Sequence, residues 1–323
     1  MEIFRATKPI NFMGKSKISL FISLILVIGS FVLVGVKGLN LGVDFAGGTI
    51  VQVKYENIAP IDDMRERLKG NELFADSTIN EFGSPQEVIV RFKTSTSNIT
   101  SDIGDETRAA LQGSGDFEVR RVDIVGPKVG NELREKGLMS LLLAIIGILI
   151  YVSFRFEWRF ALASVVALVH DISIAVGAIA LFQIDVNLDV LAALLTILGY
   201  SLNDTIIVFD RIREGITSSK EVKIYDVINE SVTKTLSRTT LTSLTTFFVV
   251  LTLFMFGGEI IHAFAFTLLV GIIVGTYSSI FVASPILMYL GFDIKHYRKK
   301  LSEKAAREAE KDKMRAQYEQ GTI

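Results

Sequence analysis

Cysteine is absent from the chain's 323 residues, which excludes disulfides and thiolate metal sites and leaves any external domain to rely on its core. Histidine is nearly as scarce: His170, His262 and His296 stand far apart and share no metal-ligand spacing. Neither a G-x-x-x-x-G-K-[ST] phosphate loop nor a G-x-S-x-G elbow occurs, so no catalytic residue, cofactor or metal is expected and the chain reads as non-enzymatic. The 34 basic and 35 acidic residues almost cancel and form no single patch, which leaves a nucleic-acid partner without support.

What the chain has in abundance is apolar sequence. At 50% hydrophobic residues, a chain of this length belongs in a membrane, in contact with lipid. Each span needs about 20 residues to cross a core of about 30 Å. Runs of that kind are expected near 18–36, 138–154, 161–182, 188–208, 239–256 and 263–290. The first follows a basic segment, residues 1–17, but it is too long for a signal peptide and lacks an A-x-A site, so it is read as an uncleaved span. The N-terminus, the turn 155–159, the loop 209–238 and the tail 291–323 carry Lys and Arg, whereas FQIDVN (182–187) and GGEI (257–260) carry none. Both termini are therefore expected in the cytoplasm and residues 37–137 outside. The loop segment 220–236 reads as an interfacial amphipathic helix, and the tail as a charged helix or strip.

The external segment predicts its own fold. TIVQVKYE (49–56) alternates as a half-buried strand does, and IDDMRERLKG (61–70) follows as a helix. STINEFGS and QEVIVRFK form a hairpin about the turn at 83–85; 97–113 is a second helix with Ser or Asn as its cap, and FEVRRVDIVG a last strand. The order β-α-β-β-α-β is the ferredoxin-like, split βαβ arrangement. Its entry, GVDFAGGT, places Gly42, Gly47 and Gly48 where positive φ or close backbone approach is permitted, with Asp44 free to bond nearby amides: a tight turn, or a ligand-binding loop. VGPKVGNEL (125–133) is the matching re-entry, where Pro127 ends the strand.

Polar residues inside the spans are the functional candidates. Asp204, beside Asn203, lies within LDVLAALLTILGYSLNDTIIVF, where a carboxylate costs about 2.5–3.5 kcal/mol on insertion scales. Helical spacing puts Thr196, Tyr200 and Asp204 on one stripe, with Ser201 close by, facing protein or water. Asp171 sits in the third span between Ala167 and Ala175, small residues that allow another helix to approach. At 1.5 Å per residue, Asp171 lies roughly 15 Å and Asp204 roughly 8 Å from the cytoplasmic boundary. Arg238 precedes or opens the fifth span, at a depth where it can meet Asp204. Desolvation disfavours an ionised carboxyl and a nearby guanidinium favours it, so that pair reads either as a proton relay or as a static buried ion pair. Asp171 is open to both roles, and its neighbour His170 reads as a core or helix-contact residue. Asp210, Arg211, Arg213 and Glu214 read as solvated anchors at the boundary.

GVDFAGGT after the first span, VGPKVG before the second, FRFEWR in the first cytoplasmic turn, LVHD, GYSLNDTIIVFDRIRE and SRTTLTSLTTF together resemble the SecF side of the SecD/SecF family of bacterial protein-export membrane proteins. The resemblance covers about residues 18–290, with the motifs in the same order. That family is similar to the RND transporters. The resemblance implies an RND-like half of six spans beside six of a homologous SecD partner, in the plasma (inner) membrane. It also implies assistance to the SecYEG channel, with YidC as a further partner and unfolded secretory proteins as cargo, driven by a proton or sodium gradient. The family's intramembrane acid falls on Asp204, within GYSLND, and its basic counterpart on Arg238. Two rivals stand beside this reading: a scaffold subunit that transports nothing, and a free-standing small-molecule exporter, for which a chain with one small external domain is half the expected size.

Overall fold

The computed structural model describes residues 9–71, 73–75, 77–92, 102–218 and 223–319. Six helices are long and apolar enough to cross a membrane. They are α1 (Ser16–Lys37), α5 (Pro127–Arg155), α6 (Trp158–Phe182), α7 (Leu188–Ser218), α8 (Ile224–Phe256) and a sixth built from α9 (Glu259–Ser278), a π-helical turn (Ser279–Ala283) and α10 (Ser284–Tyr289). Between α1 and α5 come α2 (Val43–Ala46), β1 (Gly48–Tyr55), α3 (Ile61–Lys69), β2 (Thr78–Phe82), β3 (Ser84–Phe92), α4 (Ile103–Ala110) and β4 (Phe117–Val125); the tail forms α11 (Ile294–Glu319).

The unit between α1 and α5 has the expected ferredoxin-like order. Its antiparallel sheet runs β2-β3-β1-β4, with β1 and β3 in the middle. Alternation decides the packed face: Val51, Val53 and Tyr55 of β1 and Val88, Val90 and Phe92 of β3 all turn inward, while Gln52 and Lys54 stay on the other side. That inward face packs on Met64 and Leu68 of α3, Phe74, and Ile103 beside Leu111. Phe74 meets Phe92 edge-on with ring centroids 4.7 Å apart.

In the membrane region, α6, α7 and α9 are the most buried helices, and α1, α5 and α8 lie around them. The outer helices present their apolar side chains outward: Phe21, Leu24 and Ile25 on α1, Leu142, Leu143 and Ile146 on α5, Phe248 and Val249 on α8. Water would not tolerate such faces, whereas lipid does. Close approach at the centre depends on small residues. A Cβ on Gly177 of α6 would lie 2.1 Å from the Ser30 hydroxyl of α1, and one on Gly271 of α9 would lie 2.2 Å from Ile197 of α7.

Several expected boundaries move. Pro127 does not merely end a strand; it occupies the first turn of α5, where its missing N–H costs nothing, so the helix begins well before the apolar run. The 209–238 loop is mostly helical: α7 continues to Ser218 and α8 starts at Ile224, continuous with its span rather than lying in the interface. Residues 220–222 of the segment 220–236, expected as an interfacial helix, lie outside the described residues. Asp102, not Ser or Asn, caps α4 by accepting from Gly104 N–H at 2.8 Å; residues 97–101 also lie outside the description.

Candidate functional site

Two intramembrane carboxylates have different surroundings. Asp171 of α6 is fully buried and accepts three bonds. His170 Nδ1 lies 2.8 Å from one oxygen; Ser278 of α9 donates to the other at 2.7 Å, and Ser201 of α7 donates to that same oxygen. Ser278 is the last residue before the π-helical turn, a local widening of the helix that often marks functional sites. Ala167 and Ala175 are both fully buried, as their size predicts. His170 is a core residue: its ring stacks on Tyr277 with centroids 6.3 Å apart, and its Nε2 is buried with no partner.

Asp204 has fewer donors. One oxygen accepts from the Ser243 hydroxyl of α8 at 3.1 Å. The carboxylate faces a cavity of about 40 Å³ between α7, α8 and α9, lined by Tyr200, Ser201, Asn203, Thr242, Ser243, Thr246, Gly271, Ile272, Gly275 and Thr276. That volume holds one or two waters, and the many hydroxyls and the Asn203 amide offer the several polar partners a water or a small cation needs. Ser201 belongs to both sites, since it donates to Asp171 and lines the Asp204 cavity.

The stripe expected along α7 divides. Ser201 and Asp204 are buried, whereas Tyr200 is 49% exposed and Asn203 is exposed, so the polar cavity opens on the outer side of the helix pair. Thr196, half-exposed, lies outside the cavity lining and bonds only its own helix, to Ala192 O at 2.7 Å.

Arg238, whose place in the sequence allows it to meet Asp204, does not do so in this structure. Among the described residues no Lys or Arg forms an ion pair with either intramembrane acid. Arg238 is exposed and lines a second cavity of about 910 Å³, together with Asp210, Arg211, Arg213, Glu214, Lys234 and Tyr297. The cause is directional. Arg238 lies five residues before Ser243, and side chains on a helix lean toward its N-terminus, which here carries the guanidinium away from Asp204. The boundary residues expected as solvated anchors are paired: Asp210 with Arg213 at 2.7 Å and with Arg155 at 3.6 Å, Glu214 with Arg211 at 2.6 Å.

Ser243, Ser278, Gly271 and Gly275 were not singled out in the sequence. The glycines carried a readable signal, because GIIVG in an apolar helix is the small-xxx-small pattern of close helix contact. The serines carried none, being two among many hydroxyls. The GVDFAGG segment binds protein: Asp44 accepts from Leu188 N–H at 3.0 Å, and Cβ atoms on Gly47 and Gly48 would lie 2.9 Å from Pro127 Cα and 2.7 Å from Phe92 O.

Residues 106–293 match the family model described as protein export membrane protein SecD/SecF, C-terminal, and residues 32–57 match the SecD/SecF GG motif. The protein translocase subunit SecF of Helicobacter pylori (strain ATCC 700392 / 26695) is 48% identical over 323 residues, 100% of both chains. The chain belongs to the SecF branch of the SecD/SecF protein-export family. Other members of the branch are similar over nearly their whole length. SecF of Vibrio alginolyticus is 46% identical over 91% of this chain and 94% of its own, and SecF of Escherichia coli O157:H7 is 39% identical over 94% of each. Among solved structures, SecDF of Thermus thermophilus, a translocon-associated membrane protein, superimposes with a TM-score of 0.77 at 34% identity, covering 89% of this chain and 39% of the other. SecDF in a super-membrane-facing form gives 0.68 at 32% identity, covering 94% and 41%. The chain thus corresponds to about two fifths of those SecDF chains. It is a multi-pass membrane protein and a translocase subunit, and the GG motif is the segment that packs against α5 and α7.

Proposed function

We propose that the chain is the non-enzymatic subunit of an ion-driven export accessory, paired with a SecD partner, serving the SecYEG channel and YidC. Unfolded secretory proteins are its cargo, a proton or sodium gradient drives it, and no cofactor takes part. Asp204 takes up and releases the ion, and Arg238 gates it by approaching the carboxylate in another state of the cycle. Both termini face the cytoplasm of a bacterial cell, and the ferredoxin-like domain lies outside. One observation carries the reading: a buried carboxylate with no counter-ion among the described residues, facing a small hydroxyl-lined cavity in otherwise apolar spans. A charge crossing a 100 mV potential releases about 2.3 kcal/mol, enough to bias a conformational equilibrium. A scaffold role draws its support from the other acid, because Ser201 and Ser278, both donating to Asp171, tie α6, α7 and α9 together.

The test compares wild type with Asp204→Asn for export of a secretory precursor in inverted vesicles, collapsing the proton and sodium gradients separately. Wild type should lose export with one gradient, which names the ion, and the variant should already sit at that floor. Full export by Asp204→Asn under every condition refutes ion coupling at this residue.

A further inference from the structure

The external domain is joined to the outer end of α7 by contacts that leave little slack. Leu41 and Val186 form a parallel bridge in which Gly42 N–H donates to Val186 O at 2.9 Å and Val186 N–H donates to Asn40 O at 2.8 Å. Asp185, in the turn before α7, accepts from Asn40 Nδ2 at 2.5 Å and from Arg91 Nη1 at 2.7 Å, and Arg91 belongs to the central strand β3. Asp44 then accepts from Leu188 N–H at 3.0 Å, satisfying the first amide of α7 and placing a carboxylate at the positive end of that helix. Backbone contact is close as well: a Cβ on Gly42 would lie 1.7 Å from Asn187 Oδ1, and one on Gly130 3.0 Å from Phe45 O.

These residues come from the connector after α1, from the sheet and from the α6–α7 turn, so the joint ties the sheet domain to the helix bundle. A hinge is made where few residues cross and can change φ and ψ. Here backbone bonds, a partly buried ion pair and a helix cap converge within 185–188. The α7 helix runs unbroken from Leu188 past Asp204, sixteen residues later and roughly 24 Å along the axis.

We propose that the external domain and α7 move as one body, with Asp44 and Asp185 as the positioning residues that transmit displacement of the domain to the helix carrying Asp204. The significance of Asp204 rests on the function proposed above, whereas the rigid joint does not. The GG-motif segment thereby acquires a mechanical role: its glycines let the connector seat against α5 and α7, and its aspartate fastens the helix.

The chain's lack of cysteine makes the joint testable in the full complex. Leu41→Cys with Val186→Cys places one reducible crosslink across the bridge. With the natural joint intact, export should be equal in the oxidised and reduced states. Asp44→Ala with Arg91→Ala should lower gradient-dependent export while the partner still co-purifies, and the crosslink should restore export until reductant is added; Asp44→Asn, which keeps an acceptor, should lose less than Asp44→Ala. A crosslinked intact joint that stops exporting until reduced would overturn the proposal, since the joint would then have to open. So would a broken joint that exports normally, or one that assembles but gains nothing from the crosslink. If the broken-joint variant fails to assemble, the intact crosslinked chain alone decides. Asp204→Asn in the same vesicles separates the two ideas: normal export by that variant refutes ion coupling and leaves the crosslink result standing.

Discussion

Ser278 and Ser279 are adjacent, both fully buried, and both donate to a carbonyl three residues back, to Gly275 O at 3.1 Å and Thr276 O at 3.0 Å. Only Ser278 also reaches Asp171, at 2.7 Å. Replacing each with alanine therefore isolates one bond to a carboxylate. Hydrogen bonds to charged groups contribute about 1.5–3 kcal/mol. Polar contacts between helices in membranes average near 0.6 and reach about 1.7 kcal/mol. The two ranges meet near 1.5 kcal/mol, which is about tenfold in the folding equilibrium. At about 2–4 °C per kcal/mol for a unit of this size, Ser278→Ala should lower the unfolding midpoint by roughly 3–6 °C. Ser279→Ala should cost little or nothing, because only a local bond to a carbonyl of its own helix disappears, a bond that Ser278→Ala also removes. The assay is thermal unfolding of the purified chain in detergent, the two variants side by side. Equal losses, or a larger loss for Ser279→Ala, would refute the claim that Asp171 ties the sixth span to α6 and α7.

Two further outcomes follow from packing and from burial outside the membrane. Gly271→Ala should destabilise the bundle by about 1–3 kcal/mol in the same assay, since its Cβ would lie 2.2 Å from Ile197, a buried side chain with nowhere to go; Gly199→Ala on α7, with open space around it, should be neutral or slightly stabilising. Burial raises the Tyr55 phenol above its ordinary value, against an opposing hydrogen bond with Ser114. Above about pH 10 the unfolded chain therefore releases a proton that the folded domain keeps, and stability falls as pH rises. Tyr55→Phe should remove that alkaline slope in unfolding of the external domain, followed by hydrogen exchange of β1.

Much of the fold was legible because its signals are local. Run length marks a span, alternation marks a half-buried strand, and these need only neighbouring residues, so the six spans and the order β-α-β-β-α-β both appear where expected. The boundary errors have local causes too: α5 and α8 continue beyond their apolar runs because polar residues outside lipid are good helix formers, and hydropathy does not see them. The site was legible in part. Asp171 and Asp204 stood out because a carboxylate in an apolar run is costly wherever it lies.

What the sequence determined by itself was a six-span membrane protein with a ferredoxin-like domain between its first two spans and two buried acids. Only the tertiary structure decided the partners of those acids. Asp171 receives Ser201 and Ser278 from 30 and 107 residues away, and Asp204 receives Ser243 rather than Arg238. No periodicity specifies which of many hydroxyls will be level with a carboxylate on another helix; that depends on small residues such as Gly271 and Gly275, which set how closely and at what height the helices meet. Likewise Asp44 reads locally as a turn residue, and only the fold, by bringing Leu188 from 144 residues away, makes it the cap of the helix that carries Asp204.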